Sequence, residues 1–170
     1  MTEQYVYIDG SCLFNGTKKS IGGYGVFFGD DDPRNVSKKL EKNEIITKIT
    51  NNTAELMACL EALTILEATP TNEIKKNYIV TDSNYLYQSC IDWIPVWEKN
   101  NWKKSDGKIV DNLELIKAIR EKHKKVRPML KHVNSHRDEP SNKESQEWRF
   151  WYGNMMADKL ATLASKTPSA

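Results

Sequence analysis

Four acidic residues, far apart along the chain, are of the type that could hold a metal ion together. Asp9 lies in Tyr-Ile-Asp-Gly-Ser-Cys and Asp82 in Thr-Asp-Ser-Asn-Tyr, and each follows a strand-like run rich in β-branched residues. Glu55 and Asp158 fall in segments with helical spacing. Carboxylate oxygens suit Mg2+, which neutralises phosphate charge. The pattern predicts a magnesium site for phosphodiester chemistry, with Asp9 and Asp82 presented by loops rather than buried.

The elements that would position these acids form an α/β pattern. Strands are expected at 4–9, 23–29, 35–46, 77–80 and 127–133. Helices are expected from 51 to just before Pro70, from 83 toward Trp93 with an interruption at Pro95, over 112–122, and from a start between 146 and 154 to about 165. Residues 137–147 are polar and predict a loop. The order β-β-β-α-β-α-α-β-α indicates a mixed sheet flanked by helices.

Length and composition predict one soluble domain spanning residues 1–170. A chain of 170 residues can close a single hydrophobic core. Cys12, Cys59 and Cys90 are odd in number and widely spaced, which argues against a secreted disulfide framework and favours a reducing compartment. The first residues, Met-Thr-Glu-Gln-Tyr, lack a charged stretch followed by an apolar one, and no apolar run approaches the roughly 18 residues of a membrane span. We therefore expect an intracellular protein without membrane contact.

Positive charge is concentrated in one part of the chain. Residues 97–137 contain 12 Lys or Arg against 5 Asp or Glu, whereas the whole chain carries only +2. Three tryptophans in or just before this region interleave with lysines, namely Trp93, Trp97 and Trp102 with Lys99, Lys103, Lys104 and Lys108. Basic groups beside flat rings suit phosphate and sugar contacts. The segment predicts a nucleic-acid contact, and the same tryptophans could also anchor a protruding helix pair.

An ordered set of motifs resembles the type 1 ribonuclease H catalytic domain from about Tyr5 to Ala164. The set is Asp-Gly-Ser-Cys-Leu-x-Asn, Gly-Gly-Tyr-Gly, Thr-Asn-Asn-x-x-Glu-Leu, Thr-Asp-Ser-x-Tyr, a histidine and Ala-Asp, in that order. The resemblance implies a ribonuclease H-like fold, a five-stranded mixed sheet with three antiparallel strands plus parallel ones. It further implies cleavage of the RNA strand of RNA–DNA hybrids, with Asp9, Glu55, Asp82 and Asp158 as metal-binding acids. No separate hybrid-binding domain is expected.

The resemblance also implies residues that contact the hybrid. Polar groups that can touch a 2′-hydroxyl distinguish RNA from DNA. The positions that match the RNA-strand contacts are Cys12, Asn15, Asn51, Asn52 and Asn84. The positions that match a DNA-phosphate pocket are Lys48, Thr50 and Asn112. A segment similar to the basic protrusion of some members contains Trp102, Lys103 and Lys104.

One histidine of the segment His-Val-Asn-Ser-His resembles the family's loop histidine. His136 is therefore expected to act in proton transfer or product release. His132 is expected to be structural and His123 to be a solvated helix-end residue. The span from His136 to Asp158 is longer than usual in the family and contains Glu-Trp-Arg-Phe-Trp-Tyr. Its rings could close over the site or stack on nucleic acid, and the expectation is that they pack the loop.

Phosphodiester cleavage has two requirements that two metal ions can meet. One ion lowers the pKa of a water, and a second about 3.5–4 Å away stabilises the leaving oxygen. Asp9 is the candidate to bridge both ions, which are expected to be Mg2+, with Mn2+ as the alternative. The resemblance implies 5′-phosphate and 3′-hydroxyl ends. Two other functions stay open, a catalytically silent nucleic-acid-binding module and a DNA-cutting nuclease of the same superfold. The expected partner is an RNA–DNA hybrid, and a monomer is expected.

Overall fold

Five strands form one mixed sheet in the order β3-β2-β1-β4-β5. The computed structural model describes residues 2–69 and 75–167. Neighbouring strands are antiparallel in the β3-β2-β1 half and parallel in the β1-β4-β5 half. The strands are β1 (Thr2–Leu13), β2 (Ile21–Phe27), β3 (Val36–Lys39), β4 (Lys75–Thr81) and β5 (Met129–His132). This arrangement confirms the predicted sheet.

The third strand is much shorter than the predicted 35–46. Strand β3 ends at Lys39, and the chain then turns at Asn43. The Asn43 side chain accepts hydrogen bonds from the backbone N–H groups of Ile45 and Ile46 at 2.8 and 2.9 Å. An Asn side chain that bonds the backbone two or three residues later closes a turn and removes those groups from strand pairing.

Helices cover both faces of the sheet. They are α1 (Asn51–Ala68), α2 (Asn84–Gln88), α3 (Ile94–Lys99), α4 (Leu113–Val126) and α5 (Gln146–Lys166). Side-chain oxygens cap two of the long helices, because Thr50 accepts from the Thr53 N–H at 3.0 Å and Ser145 accepts from the Trp148 N–H at 3.1 Å. The first helix ends at Ala68, before Pro70 as expected, and Pro70 itself lies outside the described residues.

The predicted interruption at Pro95 is wrong. A π-helical turn, Ser89–Trp93, joins α2 to α3, so the chain stays helical through Pro95. The Ile94 N–H bonds the Ser89 carbonyl, which is the wider spacing of a π turn. Proline has no N–H to donate and is tolerated in the first turn of a helix. Pro95 occupies such a position in α3.

Two apolar clusters lie on opposite faces of the sheet. The larger joins Val6 and Ile8 to α1 and α4, and the smaller joins Tyr7 to α5. Alternate residues of β1 therefore serve the two faces, as strand geometry requires. Helix α5 lies very close to β2, since a Cβ on Gly25 would be 2.5 Å from the Ala157 carbonyl oxygen. Within the described residues, no helix is both long and apolar enough to cross a membrane.

Candidate active site

The two strand acids lie where β1 and β4 separate. Strand β4 runs parallel to β1 up to the pair Ile8 and Thr81, and Asp82 follows immediately. Strand β1 continues past this point and pairs Asp9 with Gly25 of β2. Open sheets bind ligands in the crevice beyond the carboxyl ends of parallel strands. Asp9 and Asp82 are therefore in the position where such a site is expected.

The expectation that Asp9 would sit exposed at a strand end is wrong. Asp9 lies inside β1 and is only 4% exposed. The reason is that pairing between β1 and β2 continues to Leu13 and Ile21, four residues beyond Asp9. Asp82 does follow the last residue of β4, as predicted, and is partly buried.

A glycine allows Glu55 to approach Asp9. A Cβ on Gly10 would lie 2.6 Å from the backbone nitrogen of Glu55 and 2.8 Å from the Cβ of Ala54. Only a residue without a side chain permits this contact between β1 and α1. The contact places the second turn of α1 directly against the segment that carries Asp9.

Three of the predicted acids converge. Asp9, Glu55 and Asp82 each offer one carboxylate oxygen, and these three oxygens all lie within 4.8 Å of one another. The second oxygen of Glu55, Oε2, is buried and has no hydrogen-bond partner. A buried carboxylate oxygen left without a partner is costly. The all-oxygen donor set and the free Oε2 fit a divalent cation such as Mg2+.

Burial and crowding disfavour ionisation of these acids in the absence of a cation. Burial, followed by the charges of Glu55 and Asp82, raises the pKa of Asp9 far above its usual range. Burial, followed by the charge of Asp82, likewise raises the pKa of Glu55. Burial also raises the pKa of Asp82, although its hydrogen bonds with Asp9 and Asn154 act in the opposite direction. A bound cation would reverse this balance.

Asp158 reaches the same region from α5. It lies outside the three-residue group, yet it lines the same cleft as Asp82. Burial is the largest cause of the raised pKa of Asp9, followed by the charges of Glu55 and Asp82. A hydrogen bond with Asp158 raises it further. Asp158 is itself solvent-exposed. All four predicted acids are thus neighbours.

Sequence reasoning missed Asn154, one helical turn before Asp158. Its side chain hydrogen-bonds the Asp82 carboxylate, and its own Oδ1 is buried without a partner. Residues four apart share a helix face. The i, i+4 spacing from Asp158 is the signal that could have identified Asn154 as part of the site.

Helix capping does not account for Asp82. Ser83, the next residue, caps α2 by accepting from the Leu86 N–H at 3.1 Å. The Asp82 carboxylate is therefore available to the site. Glu55 lies in the second turn of α1, where the favourable interaction of an acid with the helix dipole has largely decayed.

His136 lies beside the acids, on the rim of a cleft of about 470 Å3. The cleft is also lined by Asp82, Trp151, Asn154 and Asp158. The charge of His136 lowers the pKa of Asp82, although burial and hydrogen bonding have larger effects on it. His136 is therefore close to the acids.

The other two histidines differ from each other. His132 lies in β5, is partly buried and contacts the ring of Tyr87 with centroids 5.9 Å apart, in agreement with a packing role. The expectation that His123 would be solvated is wrong, because it is partly buried in the last turn of α4. Burial and the charge of Arg120 lower the pKa of His123.

Most of the predicted hybrid contacts line one groove of about 590 Å3. They are Asn15, Lys48, Thr50, Asn51, Asn52 and Asn112, and Tyr85 and Asp111 are among the other lining residues. Asn15 Oδ1 accepts from the backbone N–H of Asn51 at 3.0 Å, which joins the β1–β2 loop to the start of α1. Cys12 and Asn84 do not line this groove. Cys12 is partly buried in β1, and Asn84 is exposed at the start of α2.

The basic protrusion consists of the π turn, α3 and the segment to Lys108. Trp97 and Trp102 pack against the main core, so they do anchor the protrusion. Lys103 is exposed, whereas Lys104 Nζ lies 3.4 Å from Asp111 Oδ2. Trp93, Trp97 and Lys104 line a hollow of about 360 Å3. Two tryptophan rings and the Lys104 ammonium group therefore share the surface of this hollow.

Sheet topology and carboxylate cluster together define an α/β protein with a candidate divalent-metal centre. The chain belongs to the RNase H family, whose model matches residues 1–166. A protein named Ribonuclease HI from Rickettsia prowazekii is 36% identical over 162 residues, which cover 95% of this chain and 90% of that protein.

Other relatives are longer. The protein named Ribonuclease H from Schizosaccharomyces pombe is 39% identical over 158 residues, covering 93% of this chain and 51% of the relative. The chain thus spans about half the length of the first curated relatives that it matches. Among solved structures, the PFV RNase H domain is 25% identical with a TM-score of 0.67, covering 95% of this chain and 93% of the other. LC9-RNase H1, at 23% identity and a TM-score of 0.68, shares the fold over 97% of this chain and 72% of its own.

Proposed function

We propose that this protein is a metal-dependent endonuclease that hydrolyses the RNA strand of RNA–DNA hybrids and leaves 5′-phosphate and 3′-hydroxyl ends. The observation that carries the proposal is the convergence of Asp9, Glu55 and Asp82 oxygens within 4.8 Å, with a buried Glu55 oxygen that has no partner. Family membership supports the same reaction, and relatives carry the names Ribonuclease H and HI.

Four acids would hold two Mg2+ ions, with Mn2+ as the alternative. Bound divalent ions supply a water of lowered pKa and neutralise the charge on the scissile phosphate. Asp9, the most buried of the group, is the proposed shared ligand. Glu55, Asp82 and Asp158 would complete the set, and Asn154 would keep the Asp82 carboxylate in place through its hydrogen bond. Removal of the cations would remove both the activated water and the positive charge that neutralises the phosphate.

The groove beside α1 would recognise the hybrid. Asn15, Asn51 and Asn52 offer amides to a 2′-hydroxyl. Cys12 and Asn84 stay proposed contacts to the RNA strand outside this groove. Lys48 and Asn112 offer positive charge and an amide to a DNA phosphate in the same groove. The Thr50 hydroxyl is already bonded to Thr53 at 2.8 Å, and we propose that it serves mainly by holding the start of α1.

Two alternative functions follow from the same fold. A catalytically silent binding module would not need four clustered acids, and the raised pKa values of Asp9 and Glu55 make this cluster costly without cations. A DNA-cutting nuclease of the same superfold would share the metal site but not the groove of asparagines. Free thiols at Cys12, Cys59 and Cys90 support an intracellular location, and the monomer stays a prediction.

A comparison of end-labelled substrates tests the proposal. RNA–DNA hybrid, double-stranded RNA, double-stranded DNA and single strands are each incubated with Mg2+, Mn2+ or EDTA. We expect loss of only the hybrid's RNA strand, and only when a divalent ion is present. Binding without cleavage would favour the silent module, and cleavage of double-stranded DNA would favour the other nuclease.

Replacement of His136 by Ala should slow turnover without stopping it. General acid–base groups typically contribute about 100-fold or somewhat more, and a group that assists product release contributes less. We therefore expect kcat to fall by roughly 10- to 100-fold, with hybrid affinity unchanged. The measurement is steady-state cleavage of the hybrid, and wild-type kcat in the variant would remove His136 from the mechanism.

Replacement of both Lys103 and Lys104 by Ala should weaken hybrid binding and reduce its salt dependence. Each phosphate that a lysine neutralises adds about 0.9 to the magnitude of the slope of log K against log salt. We expect a slope less steep by roughly 1 to 2 in the variant, because Lys104 is already paired with Asp111.

The matched control removes the same charge from β3 and the loop after it, outside the protrusion. Lys38 lies in β3, and Lys42 is exposed in the following loop. The Lys38→Ala, Lys42→Ala variant should keep the wild-type slope. Equal slopes in all three proteins would limit the protrusion to a structural role.

A further inference from the structure

Two tryptophans tie the loop that follows His136 to the first two turns of α5. The Trp151 Nε1–H group donates to the carbonyl oxygen of Arg137 at 3.0 Å. The Trp148 Nε1–H group donates to Glu139 Oε1 at 2.9 Å. The first bond is made to the residue directly after His136. It therefore acts on the backbone that carries this histidine.

The ring of Trp151 is held on the helix by its neighbours. Trp148, Trp151 and Tyr152 share one face of α5, because they are three and four residues apart. Trp148 stacks on Tyr152 with centroids 4.9 Å apart and planes at 11°, and it contacts Trp151 at 6.1 Å. The Tyr152 hydroxyl donates to Asp30 Oδ1 at 2.5 Å, away from the His136 loop. An indole has only two side-chain torsions, so this packing leaves it well ordered.

The backbone at His136 needs such support. His136 has φ 55°, in the left-handed region that residues with a Cβ seldom adopt. This conformation is strained and persists only where surrounding contacts impose it. The Arg137–Glu147 ion pair, at 2.6 Å, joins the same two segments. Both of its side chains are at least half exposed, so this pair contributes little by itself.

We propose that Trp151 is a positioning residue, whose hydrogen bond to Arg137 holds His136 at the rim of the metal-site cleft. The inference rests on the proposed hydrolysis of the hybrid, and it assigns a role to the long loop between His136 and Asp158. Trp151 lines the cleft together with Asp82 and His136. Its hydrogen bond to Arg137 therefore lies close to the reacting groups. Trp151 acts through His136 and not by contact with the nucleic acid.

The Trp151→Phe variant tests this role because it removes the N–H donor and keeps an aromatic ring. Loss of one exposed hydrogen bond should lower kcat by about fivefold, with hybrid Kd unchanged. In the His136→Ala background the same substitution should have no further effect, since the group that it positions is gone. Tyr152→Phe is the matched control, because its hydroxyl bonds Asp30 and not the loop, and it should keep wild-type kcat.

Three outcomes would overturn the inference. An equal fall in kcat in both backgrounds would show that Trp151 does not act through His136. A weaker hybrid Kd with unchanged kcat would make Trp151 a nucleic-acid contact instead. Full activity of His136→Ala would leave nothing to position, although hydrolysis by the acids would still stand.

A measurement without substrate separates the anchor from the proposed function. Backbone 15N relaxation should show the amides of His136 and Arg137 more mobile in Trp151→Phe than in wild type and Tyr152→Phe. This readout applies even if the wild-type protein cleaves no hybrid. Equal order parameters in the three proteins would refute the anchor itself.

Discussion

Replacement of Asp9 by Asn should abolish cleavage of the hybrid while leaving its binding at least as strong as in wild type. Asp9 is the most buried acid of the cluster, and Asn offers a neutral amide where an anionic ligand is needed. Metal-ion catalysis contributes several kcal/mol to the barrier, so kcat should fall by about a thousandfold or more. Binding should persist, because the groove and the protrusion that would contact the hybrid are untouched.

A control substitution separates this effect from the general loss of a carboxylate. Asp31 lies in the turn between β2 and β3, at φ 58°, a conformation that Asn tolerates well. Asp31→Asn should therefore keep wild-type kcat and stability. Metal-dependent cleavage by Asp9→Asn at a rate near that of wild type would refute the assignment of Asp9. Single-turnover cleavage and equilibrium binding of a labelled hybrid measure both quantities.

Asp9→Asn should also stabilise the metal-free protein, more strongly at pH 8 than at pH 5. The pKa of Glu55 is raised to about 8 and that of Asp9 is raised further, burial being the largest cause of both shifts. Between about pH 4, where unfolded acids titrate, and pH 8, the folded protein therefore binds more protons than the unfolded one. The stability that these two acids contribute is fully present below their unfolded pKa and is lost as the pH rises through their folded pKa.

Asn in place of Asp9 removes the most strongly affected group and one charge next to Glu55. We expect Tm of the metal-free variant to exceed that of wild type by roughly 5–10 °C at pH 8 and by little at pH 5. Thermal unfolding in EDTA, followed by circular dichroism, gives the comparison. Addition of Mg2+ should raise Tm of the wild type more than that of the variant. A variant less stable than wild type at pH 8 would contradict the crowded-carboxylate account.

Much of the framework was predictable because local pattern and tertiary structure agree. The apolar stripe of α1 is buried at Leu56, Cys59, Leu60, Leu63 and Leu66, as the helical spacing indicated. The order of the acid-bearing motifs identified the family, and the four acids are neighbours, as expected. A fold can be predicted from its sequence where local and global preferences agree in this way.

The errors arise where long-range contacts override local pattern. Nothing in Tyr-Ile-Asp-Gly reveals that β1 continues past Asp9, since this depends on pairing with β2. The helical path through Pro95 needs a π turn, whose wider spacing leaves no local composition signal. Asn154 and the Trp151 bond depend on how α5 meets β4 and the His136 loop. The contact of Asn154 with Asp82 joins residues 72 positions apart, and the bond of Trp151 to Arg137 joins residues 14 positions apart.

The central claim is that Asp9, Glu55, Asp82 and Asp158 bind divalent cations together. Anomalous diffraction from crystals soaked in Mn2+ tests it most directly, because the signal identifies and locates the ion. We predict at least one Mn2+ peak between Asp9, Glu55 and Asp82, at about 2.1–2.2 Å from their oxygens, and no such peak in Asp9→Asn. Saturating Mn2+ with no peak at these carboxylates, or an equal peak in Asp9→Asn, would contradict the account.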